Sequence, residues 1–300
     1  MQVPRRTCSR LLAALAAATL IAGGLDVVVR VGSHGNPISP QQALARYRAT
    51  VAGASEPGMA GRPTARPHRP AQASAPGSGR PSPPTLGRRG PRLPATTSPV
   101  RGQPLPLPGV YVYATSGYEQ VAVPGSRRDF PRSTAITVQP YSCGVVETWQ
   151  PFQQHTERTV VCAARVAPVL ASYYVSVSFY GQTDTTTVTC RPDAYLYLNG
   201  AAVGRTWSYT CSSAKTTARN RARVIGYQTL TVHGQPVRTV HVHVDTVTSG
   251  PNGGGSSPAD YWFAATNGLL IRNTGAVHGN GTAHYYETYD LQLTDLQPQT

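Results

Sequence analysis

Period-two alternation runs through the C-terminal part of the chain. Tyr173, Val175, Val177 and Phe179 share one face, with Ser172, Tyr174, Ser176 and Ser178 on the other. Near the end, Tyr285, Tyr289, Leu291 and Leu293 share a face on which Glu287 is the one polar misfit, opposite His284, Tyr286, Thr288, Asp290 and Gln292. Such alternation predicts antiparallel strands with one buried face. Further strands are predicted at 110–115, 118–123, 134–139, 144–149, 157–163, 184–190, 194–198, 205–211, 222–232, 237–247, 260–265 and 268–272. Asn199-Gly200, His233-Gly234 and Asn267-Gly268 mark turns between them. No stretch after residue 109 has helical periodicity. The pattern predicts an all-β fold over 109–300, a large curved antiparallel sheet of half-barrel or sandwich type.

The N-terminal part follows another grammar. Arg5, Arg6 and Arg10 precede an uncharged apolar run, Leu11 to Leu25, the layout of a secretory signal. Val27-Val28-Val29 extends the run past Asp26, so residues 1–30 read either as an uncleaved signal-anchor helix or as a cleaved signal peptide. Cys8 precedes the apolar run, which excludes it as a lipobox cysteine. Residues 31–53 predict a short juxtamembrane segment with a helical turn or two: Ser39 as cap, Pro40 at the first position and Gln42 closing a capping box. Residues 54–108 hold 14 prolines and 8 arginines and no Phe, Tyr or Trp. Such a linker cannot bury enough apolar surface to offset chain entropy and predicts a disordered stalk. Fully extended, it would reach on the order of 170 Å.

Charge changes the picture only once it is divided. The formal net charge is +14, but residues 1–108 carry 14 Arg against Asp26 and Glu56, a local excess of 12. Residues 109–300 carry 13 Lys and Arg against 11 acids, an excess of only 2. A nucleic-acid module would place its basic stripe on the folded part with aromatics interleaved, so nucleic acid is excluded as a partner.

Four cysteines fall in the β region: Cys143, Cys162, Cys190 and Cys211. An even number behind an export signal predicts disulfides. Opposed residues of a hairpin share a constant sum of residue numbers. Pairing Cys143 with Cys162 centres a turn just after Pro151, and pairing Cys190 with Cys211 centres one on Asn199–Ala202. Both are turn sequences, so these two pairings are predicted.

Candidate chemistry is sparse. His241-Val-His243-Val-Asp245 would align two imidazoles and a carboxylate on one strand face, donors suited to zinc, with His284 as a candidate fourth ligand. The spacing resembles the His-x-His-x-Asp core of metallo-β-lactamases, but Thr246 replaces the next His and no βα repeat is present. On a straight strand alternate residues stand roughly 7 Å apart, too far to share one ion. The sequence therefore predicts a solvent-facing strand, no bound cofactor and no stoichiometric zinc. Gly-x-Ser-x-Gly, His-Glu-x-x-His, P-loop and Gly-x-Gly-x-x-Gly signatures are missing, and the acids are scattered. Trp149, Trp207 and Trp262 predict core anchors rather than a sugar-stacking platform.

Three segments carry a resemblance: Gly109-Val-Tyr-Val-Tyr-Ala-Thr-Ser-Gly-Tyr-Glu119, Phe179-Tyr-Gly-Gln-Thr-Asp184 and Tyr261-Trp-Phe-Ala-Ala-Thr-Asn-Gly-Leu269. Together they resemble exported β-proteins of high-GC Gram-positive bacteria, and the third is similar to the closing strands of lipoprotein-carrier (Lol-like) half-barrels. The resemblance implies a strongly curved sheet around an apolar cavity, and an envelope lipid or lipoprotein as ligand. The leading expectation is a non-enzymatic, membrane-tethered extracytoplasmic domain that binds an envelope component. A metal-dependent hydrolase built on His241, His243 and Asp245 is the second expectation, and a structural or protein-docking module the third. Tyr173, Val175, Val177 and Phe179 discriminate them: an open face favours ligand binding, a closed core favours docking.

Overall fold

Successive strands pair with one another, and the first and last also meet. The computed structural model describes residues 35–55, 104–251, 253–281 and 284–300, which belong to one unit spanning Gly32–Thr300. Its strands are β1 (Gly109–Val121), β2 (Arg128–Asp129), β3 (Ser133–Tyr141), β4 (Gly144–Phe152), β5 (His155–Cys162), β6 (Val169–Phe179) and β7 (Gln182–Cys190). They continue as β8 (Thr206–Ser212), β9 (Thr217–Val232), β10 (Gln235–Gly250), β11 (Gly253–Ala264), β12 (Leu270–Asn280) and β13 (His284–Leu293). β13 returns to pair with β1 from Tyr113↔Leu293 to Val121↔Tyr285, closing a 12-strand antiparallel barrel. The two-residue β2 lies outside this count and pairs with β1 at Tyr118 and Glu119.

Closure corrects the expected half-barrel or sandwich. β1 is one long strand where two short ones were predicted; its first half pairs with β3, and most of its length pairs with β13. An open sheet would leave two rows of unpaired backbone groups at its edges, and closure removes them. Alternation along a strand reports curvature and burial, not whether the ends of a sheet meet.

The wall has an apolar concave side and a polar convex side. Val240, Val242 and Val244 of β10 point inward and are buried, as are Phe263, Ile271, Leu291 and Leu293. On the convex side, β9 presents exposed Arg219, Arg221 and Arg223 between buried Ala218, Asn220, Ala222 and Val224. Ser176 pairs with Thr185 there, and Ser178 with Thr183, through their hydroxyls. This is the reverse of a lipid-facing barrel, whose outer band is apolar. The β9–β10 hairpin turns on His233 and Gly234, both at positive φ (47° and 77°), as the tight hairpin turn requires.

Three local expectations change. The strand predicted at 260–265 begins earlier: Gly253-Gly-Gly-Ser-Ser-Pro258 forms the first half of β11, with β10 and β12 flanking it on both sides. Its pairing with β12 is interrupted at Ser257 and Pro258, where proline lacks the N–H for a ladder bond. Residues 194–198, predicted as a strand, belong instead to the loop between β7 and β8. That loop packs buried Tyr197 against the Phe263 ring at 5.1 Å. Disulfides join Cys143 to Cys162 and Cys190 to Cys211, with Cα separations of 4.8 and 3.9 Å. Cys190 and Cys211 are directly opposed. Cys162 instead faces Gly144, because the hairpin turns at Phe152↔His155, one residue beyond the predicted centre, and the irregularity between Trp149 and Phe152 takes up only part of that offset.

The predicted cap at Ser39 starts a longer helix, α1 (Pro40–Ser55). The Ser39 backbone N–H donates to Gln42 Oε1 at 2.9 Å, and the Gln42 N–H to Ser39 Oγ at 3.2 Å. The helix is docked on the barrel: Tyr47 packs with Val110 and Ala135, and Arg46 donates to Gln150 Oε1 at 2.7 Å. Upstream, Pro37 bridges Phe152, and Ile38 is buried. Residues 56–103 thus connect two segments that both pack on the barrel, since Leu105 also packs against the core. Both flanks of the predicted stalk pack on the barrel, so its contour length does not set a distance from a membrane. The signal segment and most of the predicted stalk lie outside the described residues. Among the described residues no helix is long and apolar enough to cross a membrane.

Candidate functional site

The polar misfit at Glu287 is one part of a charged cluster inside the barrel. In the β1–β13 register Glu119 stands directly opposite Glu287. Two carboxylates facing each other repel, and three neighbours offset this. β2 places Arg128 beside Glu119, with Nε donating to Oε1 at 2.6 Å. His155, at the first position of β5, lies with Nδ1 2.8 Å from Glu119 Oε2. The Tyr285 hydroxyl bridges Glu119 Oε2 and Glu287 Oε2, at 2.9 Å from each. On the far side of the imidazole, Nε2 lies 3.2 Å from Glu157 Oε1. Glu119 and His155 have no exposed surface, and Glu287 retains 3%.

Burial alone would raise the Glu119 carboxyl, but His155 and Arg128 hold it below the usual range. Burial would lower His155, but its bonds to Glu119 and Glu157 hold it well above the usual imidazole value. Glu287 is pushed well above the usual carboxylate range, chiefly by burial. Aromatic rings wall the cluster. Arg128 lies 4.0 Å from the Phe179 ring centroid, and Trp149 meets His155 edge-on at 5.3 Å. Glu287 Oε1 and Arg128 Nη2 are buried without a hydrogen-bond partner.

Beyond the cluster the inward side chains of β6 are only partly buried. Along β6 every residue from Leu170 to Ser178 is half-buried, on both faces. A strand packed against a closed core would alternate, so the inner face of β6 borders accessible space. Tyr173 and Tyr289 lie near Glu157 and Glu287 on this side, Tyr261 lies near Glu157, and burial raises all three phenols. Gly275 leaves room for Tyr289: a Cβ there would sit 2.5 Å from its hydroxyl. Glu147 also faces inward, half-accessible yet enclosed, and burial pushes its carboxyl up to about 7. Twelve strands fall between the filled eight-stranded barrel and the porin-sized channel, so a lumen of this kind fits the strand number.

The residues singled out from sequence lie elsewhere. His241, His243 and Asp245 are on the convex face, and none belongs to the interior cluster. His241 Nε2 lies 2.8 Å from Asp260 Oδ1 and its ring stacks on Trp262 at 4.1 Å. His243 has Asp260 at Nδ1 (3.1 Å) and Asp245 at Nε2 (3.2 Å). The two imidazole nitrogens point away from each other, so these acids cannot converge with His243 on one ion. The β-bulge of this region lies at Ile225 in β9 and leaves the β10–β11 register regular. His284 lies near Asn280 at the β12–β13 turn. Of the tryptophans, Trp149 is a core anchor donating to Thr134 Oγ1 at 3.0 Å, Trp207 is half-buried and donates to the Tyr195 carbonyl at 2.9 Å, and Trp262 lies on the convex face.

Sequence reasoning missed His155, Glu157, Glu119 and Arg128. Glu287 was the one available signal, since a carboxylate amid Tyr285, Tyr289 and Leu291 breaks the apolar alternation. Its partners come from strands far away in sequence.

No family model and no curated protein sequence matches the chain. Among solved structures it is weakly similar to the hypothetical lipoprotein YmcC of Escherichia coli: TM-score 0.29, 14% identity, covering 65% of this chain and 86% of that one. A lipoprotein candidate of Parabacteroides distasonis gives a TM-score of 0.25 at 10% identity, over 64% and 99% of the two chains. An exported-protein candidate with a YmcC-like fold from Bacteroides fragilis gives 0.27 at 10% identity, over 63% and 97%.

Proposed function

We propose that the barrel is a non-enzymatic binding module of the cell envelope that holds a polar small molecule in its lumen. The observation that carries this reading is the inner face of β6, where Val175 and Val177 are only half-buried and Tyr173 packs against the core while keeping part of its surface accessible. The two disulfides fit an oxidising, extracytoplasmic compartment.

The lining narrows the ligand. An acyl chain would strip water from the inward Glu147 carboxyl and the Tyr173 hydroxyl, at a cost of roughly 1–3 kcal/mol per group. The reading therefore moves from a lipid tail to a hydroxyl- or amine-bearing group that tyrosine rings can flank and carboxylates can bind. If Leu11–Leu25 is an anchor, only the nine residues 26–34 separate it from the docked segment at Gly35. Nine residues span about 30 Å at most. The barrel then works next to the membrane, within reach of exposed headgroups.

Native mass spectrometry of the full chain purified from a bacterial envelope tests this. The expected result is a co-purified small-molecule mass that is lost from a Tyr173→Ala variant with an unchanged circular dichroism spectrum. A bare chain mass with a stoichiometric protein partner would replace this reading with a docking module.

A further inference from the structure

We infer that the interior cluster is a divalent-metal site, with His155 Nε2, Glu157 and Glu287 as its protein ligands. The three ligand atoms lie within 4.8 Å of one another. His155 Nε2 and Glu157 Oε1, 3.2 Å apart, already match the edge of a tetrahedron with bonds of about 2.0–2.1 Å. Glu287 needs only a small side-chain movement to join them.

Two further observations point to a cation. Glu287 Oε2 is occupied by the Tyr285 hydroxyl, whereas Oε1 is buried with nothing to accept from. A buried acceptor without a partner is costly, and an ion at this position would satisfy it. His155 also has the support that metal-bound histidines have: its Nδ1 is backed by the Glu119 carboxylate. With Nδ1–H donating to Glu119 the ring is fixed in orientation, and an ion at Nε2 would displace the proton that this nitrogen shares with Glu157. Arg128 and Tyr285 hold that carboxylate in place.

One imidazole and two carboxylates suit a first-row divalent ion such as zinc or manganese. The barrel's four cysteines are all in disulfides and supply no thiolate. Three protein ligands leave a position open, and Tyr173 and Tyr289 stand beside the cluster on the lumen side. This site does not depend on which small molecule the lumen holds.

The test is isothermal titration of the chelator-treated full chain with zinc chloride and, separately, manganese chloride. The expected result is one ion per chain, with affinity reduced at least about ten-fold by Glu157→Gln and by Glu287→Gln and unchanged by His243→Ala. Should either glutamate variant lose its β-sheet circular dichroism, X-ray absorption of the zinc-loaded wild type decides instead, and one imidazole with oxygen donors supports the site. Failure to bind either ion, unchanged binding in folded glutamate variants, or a spectrum with two imidazoles would overturn it. A failed search for a lumen ligand leaves the outcome of this titration unaffected.

Discussion

His155 and Glu157 stand two residues apart on the concave face of the wall. His241, His243 and Asp245 keep the same spacing on the convex face. On the outside His241 and His243 share Asp260 of the adjacent strand, and His243 also meets Asp245 of its own, so each imidazole is paired by neighbours only one strand away. On the inside curvature brings side chains together, and Glu119 and Glu287 join from β1 and β13. Identical spacing therefore yields a solvated polar surface on one face and a converging, water-poor cluster on the other. Motif spacing on a strand has chemical meaning only when the sign of the local curvature is known.

The largest expected difference between the faces concerns arginine. Arg128→Ala leaves buried Glu119 with His155 as its remaining cationic partner, which should cost up to about 3–5 kcal/mol in denaturant unfolding. The corresponding outer change, Arg272→Ala, breaks a pair with Asp290 whose side chains are 38% and 40% exposed, and should cost less than about 1 kcal/mol. Similar losses for the two would dissolve the distinction.

Removing the Cys190–Cys211 bridge with paired serines should cost about 3 kcal/mol while leaving the strand signal in circular dichroism intact. A completely unfolded variant would show that the barrel needs this staple to close.

Acidity sharpens the contrast next. The Glu147 carboxyl is raised from 4.5 to about 7 by burial. A raised carboxyl contributes stability fully present below the unfolded value and lost as pH rises from about 4.5 through about 7. Glu147→Gln should therefore gain on the wild type by on the order of 1–3 kcal/mol between pH 5 and pH 8 in urea unfolding. An identical pH profile for the two proteins would mean that Glu147 is hydrated as freely as an outer-face acid.

The smallest effect belongs to the face that drew attention in the sequence. His243→Ala should change the unfolding free energy by no more than about 0.5 kcal/mol, as for an exposed polar residue. A loss above about 2 kcal/mol would show that the convex constellation is structural after all.

Most strand positions, the capping box at Ser39 and the all-β class were legible in the sequence, because each is set by residues within a few positions of one another. Alternation reports a strand's two faces, and Ser39 and Gln42 reach each other within one helical turn. Three features were decided only by tertiary structure. β13 closes on β1 across more than 150 residues of chain, α1 docks on the barrel, and β2 pairs with β1 through only two residues. The interior cluster belongs with them. Glu119, Arg128, His155, Glu157 and Glu287 come from four strands, and nothing local marks any but the last as unusual. Barrel closure supplies both the inward curvature and the burial that give these side chains a shared chemistry.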